Sequence, residues 1–240
     1  MHPLKAVWMS ELNPFRKEPK EGRVAAEKSS AGVPPAGFPP LEDNLTIRGR
    51  GHLPHWEAER ATYFVTFRLA DSLPQEALRK ILFDREDIPA IAAHMGRTIS
   101  ETERKRLLKL HTARIEKYLD ASDGACLLRN EAVAKVVADS LRQFDGTRYQ
   151  LHAWCVMPNH VHVVFQTIAG YTLPRILHSW KSFSAKRANK ILQRSDEFWQ
   201  REYYDHLVRD VSEFHRAVQY VTDNPKRAGL KDWPWAWPRE

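Results

Sequence analysis

Between Tyr149 and Gln166 the chain reads YQLHAWCV, then Met157-Pro158-Asn159, then HVHVVFQ. Both runs are rich in β-branched and aromatic residues, which suit a pleated surface. Three connecting residues are too few for a crossover, so the two strands must be antiparallel neighbours. This hairpin commits the chain to a sheet with an antiparallel pair. Every other element has to be layered around it.

A further strand is predicted at 62–69, TYFVTFRL. Asp71-Ser72-Leu73-Pro74 leads into a helix over 75–83, with proline near the first helical position. A second helix is predicted at 98–119, where Ser100 and Glu103 have capping-box spacing. A third covers 131–144, capped by Asn130, with Val133, Val136, Val137 and Leu141 on one face and Asp145-Gly146 ending it. A long amphipathic helix runs from Thr172 to about Leu192, with Pro174 in its first turn. Residues 198–210 hold an edge strand around 206–208. The last helix covers 212–224 and Pro225 stops it, because a residue before proline disfavours the α region. The order is strand, helices, strand, strand, helix, strand, helix. That is an α+β class, a ferredoxin-like or RRM-like antiparallel sheet with helices on one face. A helical insertion at about 84–125 and a C-terminal helix are added to it.

The chain has 240 residues, 42% of them hydrophobic, enough for one ordinary core. Seven of its 15 prolines fall in the first 40 residues, so 1–43 reads as a flexible leader and 44–240 as the domain. Lysine and arginine number 37 against 30 acidic residues, giving net charge +7 and a pI near 9.4. Such a surface attracts polyanions, nucleic acid before acidic lipid. Mean hydropathy is −0.55, and no apolar run approaches the ~20 residues of a spanning helix, so no membrane partner is expected. Residues 1–10 carry no apolar signal-peptide core. Cys126 and Cys155 lack CxxC spacing, so neither a disulfide framework nor a cysteine zinc site is expected. These features fit a reducing, cytoplasmic setting.

His160 and His162 are two apart on a predicted strand, so both imidazoles project from one face. Two convergent imidazoles can hold a divalent metal. The spacing alone decides little: with 11 histidines in 240 residues, roughly 0.5 such pairs arise by chance. Two histidines on the wet face of a hairpin are the bland alternative. Tyr220 and Asn224 are four apart on the last helix, hence on one helical face. Tyr220 can serve as a nucleophile and the Asn224 side-chain oxygen as a third metal ligand. Otherwise Tyr220 simply packs and Asn224 ends the helix. Together the four residues describe a phosphodiester-cleaving site. The metal would polarise a phosphate oxygen, and the phenol would attack in line and leave a covalent phosphotyrosine.

The segment WCVMPNHVHVV (154–164) resembles the HUH core of the single-tyrosine transposases. FWQREYYDH (198–206), followed by YVTDNPKRAGL (220–230), is similar to the C-terminal signature of the REP-associated tyrosine transposases. The resemblance runs from about Gly51 to Trp235. It implies an enzyme that uses magnesium or manganese and cleaves and rejoins single-stranded DNA beside repetitive extragenic palindrome hairpins in bacteria, near the nucleoid. It implies His160 and His162 as metal ligands, Asn224 as the amide ligand and Tyr220 as the nucleophile. It leaves monomer and homodimer both open. Tyr203 and Tyr204 have no metal-binding side chain four residues on, and are expected in packing or DNA contact.

For DNA contact the helix at 172–192 offers Arg175, His178, Lys181, Lys186, Arg187 and Lys190, with Trp180 and Phe183 able to stack on bases or fill the core. The stretch containing Arg48, Arg50, His52, His55 and Trp56 is basic and aromatic. The resemblance implies that this region helps read a guide sequence at the hairpin foot. Two other functions remain: a domesticated transposase that only binds hairpins, and a nucleotide hydrolase of the histidine-triad kind. Against the latter, the alternating position after His162 is Val164.

Overall fold

The computed structural model describes residues 46–50, 53–57, 60–72 and 124–237. Among them lie β1 (Thr46–Arg50), β2 (Leu53–Glu57), β3 (Thr62–Arg68), α1 (Glu131–Arg142), β4 (Tyr149–Val156), β5 (His160–Thr167), α2 (Leu173–Ile191), β6 (Tyr204–Leu207), α3 (Val211–Arg227) and β7 (Ala236–Trp237). The described residues fall into two compact units. Asp71, Ser72 and Gly124 to Cys126 belong to one; all the strands and helices belong to the other.

In the first unit, Asp71 Oδ2 accepts a hydrogen bond from the Ala125 N–H at 2.8 Å. Gly124 has φ +89°, and a Cβ there would stand 2.5 Å from the Asp71 carbonyl oxygen, so only glycine fits. The helices predicted at 75–83 and 98–119, and nearly all of the insertion at 84–125, lie outside the described residues.

In the second unit β1 and β2 form a separate antiparallel pair, and the other strands make one antiparallel sheet in the order β6-β3-β5-β4-β7. The hairpin read from the sequence is present as β4 and β5, closed by Met157 N–H to the His160 carbonyl at 2.8 Å. β5 is the middle strand. Its alternation sorts the core into two layers. Val161, Val163 and Phe165 join Tyr63, Val65 and Phe67 on one face, under α1 and α2. Val164 joins Phe64, Ala153 and Cys155 on the other, under α3.

A bulge between Leu151 and Ala153 makes this sorting possible on β4. The extra residue, His152, shifts the alternation, so that Leu151 faces α1 and α2 while Ala153 and Cys155 face α3. Cys126 and Cys155 are both buried, and no disulfide joins them. No helix among the described residues is long and apolar enough to cross a membrane.

The Asn130 cap is realised, its Oδ1 accepting from the Ala132 and Val133 N–H groups, though α1 ends at Arg142 rather than at 144. The edge strand is β6 at Tyr204–Leu207, starting earlier than the predicted 206–208, and Tyr204 opens it rather than preceding it. Pro225 does not stop the last helix, which runs on to Arg227. Proline there removes only the bond to Val221, within the final turn. Burial of Val221, Asn224 and Pro225 against the sheet holds that turn helical, and Leu230 N–H closes it on the Pro225 carbonyl at 2.9 Å. The helix begins on Asp210, whose Oδ1 accepts from Glu213 N–H at 2.8 Å while Glu213 Oε2 accepts from Arg209 N–H at 2.9 Å. Those two bonds, an N-cap and a carboxylate reaching back to the residue before it, fix where α3 enters the sheet face.

Candidate active site

His160 and His162 both project from β5 toward α3, each about 1% exposed. Their Nε2 atoms stand 3.0 Å apart. The opposite ring nitrogens are held: His160 Nδ1 by Asn159 Oδ1 at 2.7 Å, and His162 Nδ1 by Thr66 Oγ1 at 2.7 Å. The amide oxygen only accepts, so His160 donates from Nδ1 and keeps a lone pair on Nε2. Thr66 reaches His162 because β3 pairs with β5 and sets the two residues opposite each other.

Burial pushes the His160 pKa down to about 3, with the Arg68 cation adding to the effect. Burial also holds His162 well below the ordinary histidine range, with His160 contributing. Both rings are therefore neutral at pH 7 and able to donate lone pairs. His152, packed edge-on against Phe214 with ring centroids 5.0 Å apart, is pushed down to about 4, chiefly by burial.

These imidazoles predict a pH dependence. Unfolded, each titrates near ~6.5. Below that pH the unfolded chain binds protons that the folded chain refuses, so stability is full above about pH 6.5 and falls as pH drops. His152 alone accounts for about 3 kcal/mol by pH 4. Glu213 is held near 2 despite burial, by the His206 imidazole 3.5 Å away and the hydrogen bond from the Arg209 backbone, and adds a further loss below about pH 4.5. Thermal melts of metal-free protein from pH 7.5 to 4.5 should show Tm falling steadily below pH 6.5. A flat Tm would mean the rings are hydrated in solution.

Tyr220 comes from α3 onto the same face. Its ring lies 5.3 Å from that of His162 and 5.7 Å from that of Phe64, edge-on to both. The Arg227 guanidinium lies over it at 5.4 Å. Asn224, one turn farther along, is 3% exposed, and its Oδ1 is buried without a hydrogen-bond partner. The structure thus brings together His160, His162 and Tyr220, with Asn224 on the same side of α3.

The residues fit a divalent metal. Two nitrogens at about 2.1 Å from one octahedral ion stand about 3 Å apart, which is the separation observed. A buried amide oxygen left without a partner is what a third ligand looks like before binding. The donor set is neutral: among the described residues no cluster of three His, Cys, Asp or Glu is formed. Thr66 and Asn159 supply the outer hydrogen bonds that orient ligand histidines. Asn159 stands beside the histidines in the sequence. Thr66 carries no local signal, because only strand pairing makes it a neighbour.

The candidate DNA residues lie elsewhere. Arg175, His178, Lys186, Arg187 and Lys190 are exposed on α2, a helix without a single acidic residue. α2 covers the sheet face opposite to the histidines. Lys181 is placed differently: its ammonium donates to the Gln200 and Arg201 carbonyls at 2.6 and 2.9 Å. Burial pushes its pKa down to about 8. Trp180 is core, whereas Phe183 is 48% exposed with Arg187 over its ring at 5.5 Å. Arg48 and His55 are cross-strand partners in β1 and β2, Arg50 ends β1, and His52 lies outside the described residues.

Comparison with known proteins places residues 127–224 in the family model described as transposase IS200 like. That segment contains the histidine pair, Tyr220 and Asn224. A putative REP-associated tyrosine transposase of Haemophilus influenzae is 28% identical over 103 residues, covering 37% of this chain and 58% of that protein. A REP-associated tyrosine transposase of Escherichia coli is 23% identical over 96 residues, covering 37% of this chain and 53% of that protein. The chain thus matches just over half the length of these curated relatives. Among solved structures, a REP-associated tyrosine transposase bound to a REP hairpin aligns over 78% of this chain and 82% of its own, at 14% identity and TM-score 0.44. A putative transposase from Deinococcus radiodurans aligns over 74% and 96%, at 13% identity and TM-score 0.33. Residues 127–224 are thus similar to the IS200-like transposases, and about a hundred residues of the chain are similar to REP-associated tyrosine transposases.

Proposed function

We propose that this domain is a metal-dependent single-stranded DNA endonuclease and transposase that cleaves and rejoins DNA beside hairpins of the REP kind. The observation that carries the reading is the seating of the Tyr220 ring 5.3 Å from His162, with the partnerless Asn224 oxygen one turn away. A tyrosine merely filling the core has no need of two buried, neutral imidazoles beside it.

His160, His162 and Asn224 would hold magnesium or manganese, and the bound ion would supply Lewis-acid polarisation of a phosphate oxygen. Neutral ligands leave the ion's charge to be answered by the substrate. The protein supplies the rest. Thr66 and Asn159 fix the ring orientations. Phe64 and the β5 backbone exclude water behind the imidazoles. α3 presents Tyr220 in one place, so the attack loses little entropy to positioning. The Tyr220 oxygen bonds to phosphorus, the bond to the leaving deoxyribose oxygen breaks, and that oxygen departs as a hydroxyl. The phosphotyrosine link keeps the bond energy, so a second DNA hydroxyl can reverse the step.

Incubating the protein with a labelled hairpin oligonucleotide and Mg²⁺ or Mn²⁺ tests this. A denaturant-resistant protein–DNA adduct, dependent on the metal, is expected. Hairpin binding without any adduct would mark a non-catalytic binder instead.

A further inference from the structure

Arg68 ends β3 and is the cross-strand partner of His160. Strand alternation groups it with Thr66 and Phe64 on the face of the histidine pair. Thr66 bonds to His162, and Phe64 stacks on it at 5.6 Å. The Arg68 side chain is half-buried, and its Nε is buried with no hydrogen-bond acceptor. Among the described residues no carboxylate forms an ion pair with it; Glu202 acts only from farther away. Burial pulls its pKa down to about 10, so it stays a cation at neutral pH. The charge is felt within the site, where it helps to keep His160 unprotonated.

A buried guanidinium nitrogen without an acceptor is costly, and folded chains normally supply a partner. Lys181 shows the usual solution, with two carbonyls on its ammonium. The Arg68 Nε has no acceptor among the described residues, and Arg68 stands across the strand from His160, close enough to affect its protonation. A guanidinium is a planar fork of donors matched to phosphate oxygens.

We propose that Arg68 is a phosphate-binding catalytic residue that takes a nonbridging oxygen of the linkage Tyr220 attacks. The proposal rests on the phosphotyrosine reading of the site. In that step the tyrosine oxygen–phosphorus bond forms as the phosphorus–deoxyribose oxygen bond breaks. The phenol proton passes to solvent, and the leaving oxygen takes one up. The diester carries one negative charge before and after, but more accumulates on its nonbridging oxygens in between. Arg68 answers that surplus, so its effect falls on the rate more than on binding.

The test compares wild type with Arg68→Gln, Arg68→Ala and Arg68→Lys. Adduct formation is followed in single turnover at saturating hairpin oligonucleotide with Mn²⁺, and hairpin Kd by fluorescence anisotropy. Arg68→Gln and Arg68→Ala should each slow adduct formation by at least ~100-fold. Arg68→Lys, which keeps the charge, should lose at most ~10-fold, and Kd should stay within about threefold in all. Having two neutral variants keeps the comparison intact if one of them melts early. Equal rates for the lysine and neutral variants, an unchanged neutral-variant rate, or a loss confined to Kd would overturn the proposal. Absence of any wild-type adduct is a separate result, and would remove the phosphotyrosine reading itself.

Discussion

Tyr220→Phe is expected to abolish the covalent protein–DNA adduct, lowering its rate of formation by at least ~10³-fold. The substitution removes one oxygen and keeps the ring, so the contacts with His162, Phe64 and Arg227 persist. Hairpin affinity should stay within a few-fold of wild type, and Tm should shift little. The measurement is a denaturing gel of the cross-linked species beside anisotropy on the same oligonucleotide. The informative control is Tyr204→Phe. Tyr204 stands opposite Thr66 across the β3–β6 ladder, and its ring lies 6.2 Å from that of Phe64, on the histidine side of the sheet. It is the structural rival. Tyr203 is not, since it packs against the opposite core layer with Lys181 at 6.0 Å from its ring. An adduct that survives Tyr220→Phe but vanishes with Tyr204→Phe would move the nucleophile to β6.

His162→Ala should produce the second large effect. It deletes one of two imidazoles whose Nε2 atoms face each other at 3.0 Å. Mn²⁺ affinity measured by calorimetry should fall by at least ~100-fold, and adduct formation with it. Thr66→Val removes only the hydroxyl that orients His162, and should cost about 10- to 100-fold. The metal-free proteins offer an independent readout. Removing a buried neutral histidine removes part of the acid sensitivity, so the Tm of His162→Ala should decline less between pH 6.5 and 4.5 than that of wild type. Unchanged Mn²⁺ binding in the variant would show that the ion sits elsewhere.

Local patterning made much of the fold legible. The β4–β5 hairpin follows from two β-rich runs and a three-residue link, and α1 from Asn130 and its apolar stripe. Three features escaped because their causes are not local. Pro225 ends helices by its own chemistry, yet here tertiary burial of its turn outweighs that preference. The bulge at His152 changes which residues face which layer, and no turn signal marks it. β7 has two residues and exists because Trp154 and Cys155 offer it an edge.

The site divides the same way. His160 with His162, and Tyr220 with Asn224, are each legible as same-face pairs from periodicity. Their meeting is a property of the sheet and of α3 together. Thr66 and Arg68 contribute through strand register alone, which a one-dimensional reading cannot supply. The cationic residues on α2 are legible in the sequence by charge, but their placement is not. One of them is tied to backbone carbonyls, and the others lie on the helix that covers the sheet face opposite to the imidazoles. A hairpin touching both that helix and Tyr220 would have to pass around an edge of the sheet.

The placement of the two imidazoles on β5, flanked by paired strands on both sides, has a kinetic consequence. Central strands exchange their amide hydrogens only when a domain opens globally, whereas a helix lying on one face can detach at lower cost. The imidazole pair and the phenol therefore belong to parts of the molecule with different lifetimes, and the Asn224 amide moves with the phenol on α3. Any gating of the proposed site would therefore keep the time of the helix, while the imidazole pair stays still.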